Sequence, residues 1–186
     1  MTNKAKLHLA ENVTYRVFDK DGNPKKIFKE NSLWKFVKKL FNVDFQIPLL
    51  FGSWDYTKTL ANLIPTAGKA GVASRINGDG SEAAFTYLAV GTGTTAADAA
   101  NTTLEAEIVD SGLARASATA SRVTTDVTND TAQLVKSWSV SGTKAVTECG
   151  ALNAASTGTL LGRQVFSAIN VVSGDTLQVT YKFDVD

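Results

Sequence analysis

From Phe85 to the C-terminus the chain reads as one strand after another, and nothing else in the sequence constrains the fold as much. The segments Phe85–Val90, Leu104–Val109, Leu113–Val123, Gln133–Val140, Ala145–Leu152, Leu160–Phe166 and Thr176–Phe183 are separated by clusters of Gly, Asn, Asp, Ser and Thr. Short strands at this spacing belong to sandwiches or barrels rather than to βαβ units. In the last segment Leu177, Val179, Tyr181 and Phe183 alternate with Gln178, Thr180, Lys182 and Asp184, which gives one apolar and one polar face. The Ala/Ser/Thr-rich stretch Ala114 to Thr125 has small side chains and a weakly specified register, which suits close approach of another sheet or subunit.

The upstream part changes period twice. Val13, Tyr15 and Val17 alternate with Thr14, Arg16 and Phe18, and Asp19 to Pro24 then supply turn residues, so a hairpin returning through Lys26-Ile27-Phe28 is expected. Asp19 and Asp21 have the spacing of a calcium loop, but the third acidic position and the terminal glutamate of that motif are missing. From Ser32 to Asn42, Leu33, Trp34, Phe36, Val37, Leu40 and Phe41 fall on one helical stripe opposite Lys35, Lys38 and Lys39. This reads as a short amphipathic helix covering the open face of a sheet, with its lysines in water. Residues 43–84 read as a long excursion: large apolar residues, including Phe51, Trp54 and Tyr56, are followed by Pro65, Gly68, Gly71, Gly78 and Gly80. Two readings stand beside each other there, a loop folded over its own core and a contact surface anchored by its aromatic residues.

The totals allow one core. A chain of 186 residues, 44% hydrophobic and 20% charged, is long enough to bury a core without disulfides or metal. The expected architecture is mainly β: an antiparallel β-sandwich, jelly-roll or immunoglobulin-like, at 13–186. It carries one helix at 32–42 and an N-terminal arm at 1–12. Residues 1–93 carry 13 basic against 8 acidic residues and residues 94–186 carry 6 against 10, a polarity that favours head-to-tail contact between copies. There is no apolar run of the length of a secretory signal or a membrane span, so the chain is expected to be made in the cytoplasm and to engage no membrane.

Catalytic chemistry finds little to work with. Cys149 is the single cysteine and His8 the single histidine, so disulfides, thiolate metal sites and Cys–His or Ser–His–Asp nucleophiles lack their parts. Cys149 reads as a buried, inert thiol. Gly91-Thr92-Gly93-Thr94-Thr95-Ala96 follows Tyr87-Leu88-Ala89-Val90 and so matches the spacing of a dinucleotide-binding turn. The β pattern downstream denies it the helix and parallel sheet that the motif needs. Glu105 and Glu107, two apart on an expected strand, share a face and repel. No enzyme, cofactor, metal or nucleic-acid site is expected.

Four stretches carry a resemblance. They are the hairpin and helix region from Val13 to Asn42; Tyr87-Leu88-Ala89-Val90-Gly91-Thr92-Gly93-Thr94-Thr95 with Thr103-Leu104-Glu105-Ala106-Glu107; Glu148-Cys149-Gly150-Ala151-Leu152-Asn153-Ala154; and Leu160-Leu161-Gly162-Arg163-Gln164-Val165-Phe166, continuing through Ile169-Asn170-Val171 to Gly174-Asp175-Thr176-Leu177. In this order the chain resembles structural proteins of tailed-phage virions, of the decoration, minor structural or tail-fibre type. The resemblance implies a virion component, synthesised in the host cytoplasm, that works as a homo-oligomer, with a trimer favoured. Its expected partners are the major capsid protein or other virion proteins, and its expected role is capsid decoration or cementing. The alternative is a tail or fibre component that acts as an adaptor or binds a receptor glycan. Phe51, Trp54, Tyr56 and Trp138 are the interface candidates, the last three also as stacking platforms for sugars. The segment Thr2–Asn12 is expected to reach onto a neighbouring subunit. Arg163, set in an apolar strand, needs a carboxylate or carbonyl partner if buried and is the candidate for a structural ion pair.

Overall fold

The computed structural model describes residues 9–31, 33, 52–80 and 82–185. In chain order the strands are β1 Leu9–Phe18, β2 Pro24–Lys25, β3 Ile27–Glu30, β4 Gly52–Asp55, β5 Lys58–Ala61, β6 Tyr87–Gly91, β7 Ala116–Ser117, β8 Thr119–Val123, β9 Thr131–Ser139, β10 Lys144–Leu152, β11 Leu160–Val171 and β12 Thr176–Val185; a helix, α1, spans Thr66–Asn77. They form an antiparallel β-sandwich. One sheet has the order β2-β1-β12-β9-β8, with β5 also on β1; the other has the order β11-β10-β6-β7, and β3 and β4 make a separate two-stranded ribbon.

Alternation fixes what faces inward. Val13, Tyr15 and Val17 of β1 lie opposite Tyr181, Val179 and Leu177 of β12, and Leu134 and Trp138 of β9 lie opposite Tyr181 and Leu177. All are buried, and they meet Val90, Val146, Cys149, Ala151 and Phe166 of the other sheet in one cluster. The Tyr15 and Phe166 rings join the layers with centroids 4.3 Å apart. Each such side chain contributes about 1.5–3 kcal/mol on burial, and a one-residue slip of β1 on β12 would turn the whole set outward.

Several expectations change here. Residues 9–12 are not an arm: Leu9 to Asn12 pair with Val185 to Lys182 inside the first sheet, so they belong to the domain. The hairpin return is also shorter than expected, since only Pro24 and Lys25 pair with β1 before the chain leaves for the ribbon. Its turn is tied by Asp19, whose carboxylate accepts the Asp21 and Asn23 N–H groups at 2.9 and 2.8 Å, while Gly22 takes φ 82°. The helix expected at 32–42 falls, Leu33 apart, outside the described residues.

The excursion is only partly irregular. Its described portion contains β4, β5 and α1. The helix escapes a reading based on apolar periodicity because it buries glycines instead of large side chains. A Cβ on Gly68 would strike the Leu161 carbonyl oxygen and come within 2.9 Å of that of Leu160, and one on Gly71 would come within 2.8 Å of the Phe85 ring. Glycine therefore lets α1 lie directly on the backbone of β11, and Gly78 ends it in the left-handed conformation at φ 70°. Downstream, the strand expected at 104–109 is an irregular loop that touches β6 through the bridge between Gly91 and Glu107. Leu113–Val123 divides into β7 in one sheet and β8 in the other, with Ala118 at the crossing.

Candidate functional site: an exposed aromatic ribbon beside a clamped loop

The β3–β4 ribbon is hydrogen-bonded to neither main sheet, although its Ile27 is buried in their common core. Phe28 faces Trp54 across it, ring centroids 5.5 Å apart; Phe28 is buried while Trp54 keeps 44% of its surface in solvent. Gly52 permits this packing, because a Cβ there would sit 2.7 Å from the Phe28 ring. Just past β4, Tyr56 is 48% exposed, and Lys26 Nζ lies 5.6 Å from its ring centroid. A cation at that distance over an aromatic face is attracted by the ring quadrupole. The ribbon and its flanks thus present Trp54 and Tyr56 to solvent together with the ammonium groups of Lys26 and Lys29.

A second construction lies on the outer face of the other sheet, where the loop between β6 and β7 folds back over β10 and β11. Glu148 of β10 is fully buried, and all four groups that reach its carboxylate are N–H donors. Oε1 accepts from the backbone of Gly93 at 3.1 Å and Ala106 at 2.7 Å; Oε2 accepts from the backbone of Glu105 at 3.0 Å and from Arg163 Nε at 2.9 Å. Arg163, itself buried on β11, also donates from Nη1 to Asn101 at 2.9 Å and from Nη2 to Glu105 at 3.3 Å. Glu105 in turn accepts from the Thr95 backbone and hydroxyl at 2.8 and 2.7 Å. The Thr95 hydroxyl and N–H, with a further contribution from the Arg163 charge, hold the Glu105 carboxyl below its ordinary pKa.

This geometry explains the Gly-x-Gly spacing. A Cβ on Gly91 would collide with Glu148 Oε1, and one on Gly93 would stand 2.6 Å from the same atom. Glycines do let an anion approach the backbone here, but the anion is the protein's own carboxylate. Glu107 does not share a face with Glu105: it takes a bidentate pair from Arg115, at 2.9 and 2.5 Å, and Arg115 also donates to the Ala154 and Thr157 carbonyls. A shallow depression of about 310 Å³ borders the clamp, lined in part by Thr95, Asn101, Glu105 and Arg163.

The structure separates the residues singled out from sequence. Trp54 and Tyr56 stand together on the ribbon, and Phe51 lies outside the described residues. Trp138 is neither an interface residue nor a stacking platform: it is 3% exposed in the core and donates its indole N–H to the Ala114 carbonyl at 2.8 Å. Arg163 is held by Glu148, a partner that the sequence reading did not name. A glutamate set between Val146 and the run Cys149-Gly150-Ala151-Leu152 was the available signal, since a carboxylate buried there demands donors. Cys149 is fully buried, and desolvation raises its thiol pKa far above the usual value. Among the described residues no group of histidine, cysteine and carboxylate side chains has the arrangement of a metal site. Comparisons with protein-family models, with curated proteins and with solved structures gave no match to this chain.

Proposed function

We propose that the chain is a non-enzymatic structural protein of a tailed-phage virion, a capsid decoration or cement protein that works as a homo-oligomer, with a trimer favoured, on major capsid protein or other virion proteins. The observation that carries the reading is the β3–β4 ribbon, which sends Ile27 into the main core yet leaves Trp54 and, just past β4, Tyr56 at 44% and 48% exposure. Aromatic residues in such positions are the usual anchors of protein interfaces. Three of the sequence stretches that resemble virion proteins supply Gly91, Gly93, Glu105, Glu148 and Arg163, and these are spent on holding a loop against a sheet. A rigid, saturated polar clamp suits a part that must keep its shape under load. Because the residues 9–12 belong to β1, attachment is assigned to the ribbon and not to an exchanged arm of that length.

The test is a cryo-EM map of the particle carrying the protein, together with binding of Trp54→Ala and Tyr56→Ala variants to particles stripped of it. Loss of binding by at least tenfold with unchanged unfolding supports the reading; density remote from the head, or undiminished binding, overturns it.

A tail or fibre role with glycan binding is the second reading. It is favoured by the pairing of exposed aromatic rings with Lys26, since sugars stack on such rings; Trp138 has no part in it. A saturable glycan-array signal lost in Trp54→Ala distinguishes this reading from cementing.

A further inference from the structure

The borders of the two main sheets are unequal. The outer flank of β1 is filled by β2 and β5, and β2 carries Pro24, which has no N–H to offer. β11 is covered at Arg163 by a bridge to Leu63, with bonds of 3.2 and 3.0 Å in the two directions, and at Leu160 and Leu161 by α1. β7 is two residues long. β8, by contrast, pairs with β9 in an unbroken register from Thr119–Val135 to Val123–Thr131, and among the described residues nothing is paired with its other side. Its first four residues are exposed and Val123 is half-buried. Natural edges of this kind are usually guarded by proline, a bulge, lysine or a covering segment. Thr119-Ala120-Ser121-Arg122-Val123 has no proline, bulge or lysine, and its one guarding charge is Arg122, on the face that Ala120 shares with the core residue Leu134.

We propose that β8 is a self-association edge: a second copy of this chain adds its own β8 antiparallel to it, so that the first sheet continues across a two-fold axis at Ser121. The sequence is complementary to itself in that register. Thr119 meets Val123, a β-branched pair, on the face shared with Ser121, and Ala120 meets Arg122 on the other face. The only charge of the strand is therefore never opposite its like, and the guanidinium lies over the smallest side chain of the partner strand. A shift by one residue in either direction loses this symmetry about a residue and sets either Arg122 against Ser121 or Ala120 against Ser121. The two-fold contact is isologous, with each copy supplying the same patch. Five residues a side bury less than the roughly 1,200 Å² of a standard stable complex, so one contact is weak and gains weight where copies are already held close together. The inference does not depend on the virion reading.

Ser121→Cys tests it in the full chain. Opposed Cα atoms in an antiparallel pair lie about 4.5–5.5 Å apart, within the range a disulfide spans. Cys149 is buried and stays silent. Under mild oxidation at high protein concentration, Ser121→Cys is expected to give a covalent dimer at least tenfold faster than Ser137→Cys, which is exposed on the same sheet beyond the reach of β8, and faster than Ala120→Cys, which faces Arg122. Ser121→Lys puts two ammonium groups face to face across the axis and is expected to weaken self-association at least tenfold by sedimentation equilibrium, with unfolding unchanged. Equal cross-linking of the three cysteine variants, or undiminished association of Ser121→Lys, overturns the proposal. So does protection of β8 amides from hydrogen exchange that arises only when a different protein is added.

Discussion

Replacing Glu148 by glutamine exchanges one oxygen for an NH2 group at the most enclosed charge among the described residues, and its consequence can be worked out from the four bonds the carboxylate accepts. Oε1 takes the N–H groups of Gly93 and Ala106; Oε2 takes that of Glu105 and Arg163 Nε. All four partners are donors. Whichever way the glutamine amide is turned, its NH2 faces two of them, and two buried donors lose their acceptor. Each such loss costs about 1–3 kcal/mol, and Arg163 also loses a neutralising charge in a site where it is 1% exposed. Removing one partner of a buried pair typically destabilises by about 3–5 kcal/mol in total, so the single terms are not summed further. The expected effect of Glu148→Gln is therefore about 3–5 kcal/mol, read as a fall of about 6–20 °C in the unfolding midpoint of a domain this size. The double variant Glu148→Leu with Arg163→Met separates two contributions. It removes the uncompensated charge but leaves the N–H groups of Gly93, Glu105 and Ala106 without an acceptor, and three orphaned donors at about 1–3 kcal/mol each put the expected deficit at about 3–9 kcal/mol. Urea and thermal unfolding of both variants measure this. A single variant within about 0.5 kcal/mol of the parent, the scatter of ordinary surface changes, would refute the clamp, and a double variant equally close to the parent would refute the part assigned to the three backbone donors.

Other outcomes follow from the same contacts. Gly91→Ala drives a Cβ into the Glu148 carboxylate and the Ala106 carbonyl, and is expected to destabilise by about 1–3 kcal/mol in urea unfolding. The Glu105 carboxyl is expected to titrate below the ordinary glutamate value by NMR and to move back toward it in Thr95→Ala, since the Thr95 hydroxyl is the largest cause of the shift. The sign is that of a depressed carboxylate: its contribution to stability is present above the unfolded-state pKa and is lost as pH falls through the lower, folded-state one. Cys149, buried and with its pKa raised by desolvation, is expected to resist thiol reagents in the native protein and to react at the rate of unfolding. Deletion of residues 1–12 is expected to lower the unfolding midpoint, because four residues of β1 leave their pairing with β12.

Local alternation and turn chemistry carried much of this fold in the sequence. β9 to β12 lie close to where the apolar periods and the Gly, Asn and Asp clusters put them, because a half-buried strand writes its own two-residue period. Glycines at 22, 78 and 174 take positive φ at ends of elements, as their residue type allows. Tertiary structure decided what no local pattern encodes. Helix α1 has no apolar stripe because its burial is by contact of glycine with another element's backbone, and the strand expected at 104–109 became a loop because the N–H groups of Glu105 and Ala106 serve Glu148, which leaves the Ile108 N–H to meet β6 at Val90. Trp54 and Trp138 are the same residue type in similar company, yet one is 44% exposed and the other 3%. That difference, like the choice of Glu148 for Arg163, is set by which strands become neighbours. A sequence fixes the faces of its strands one by one, but neighbours far apart in the chain are chosen by the packing of the whole.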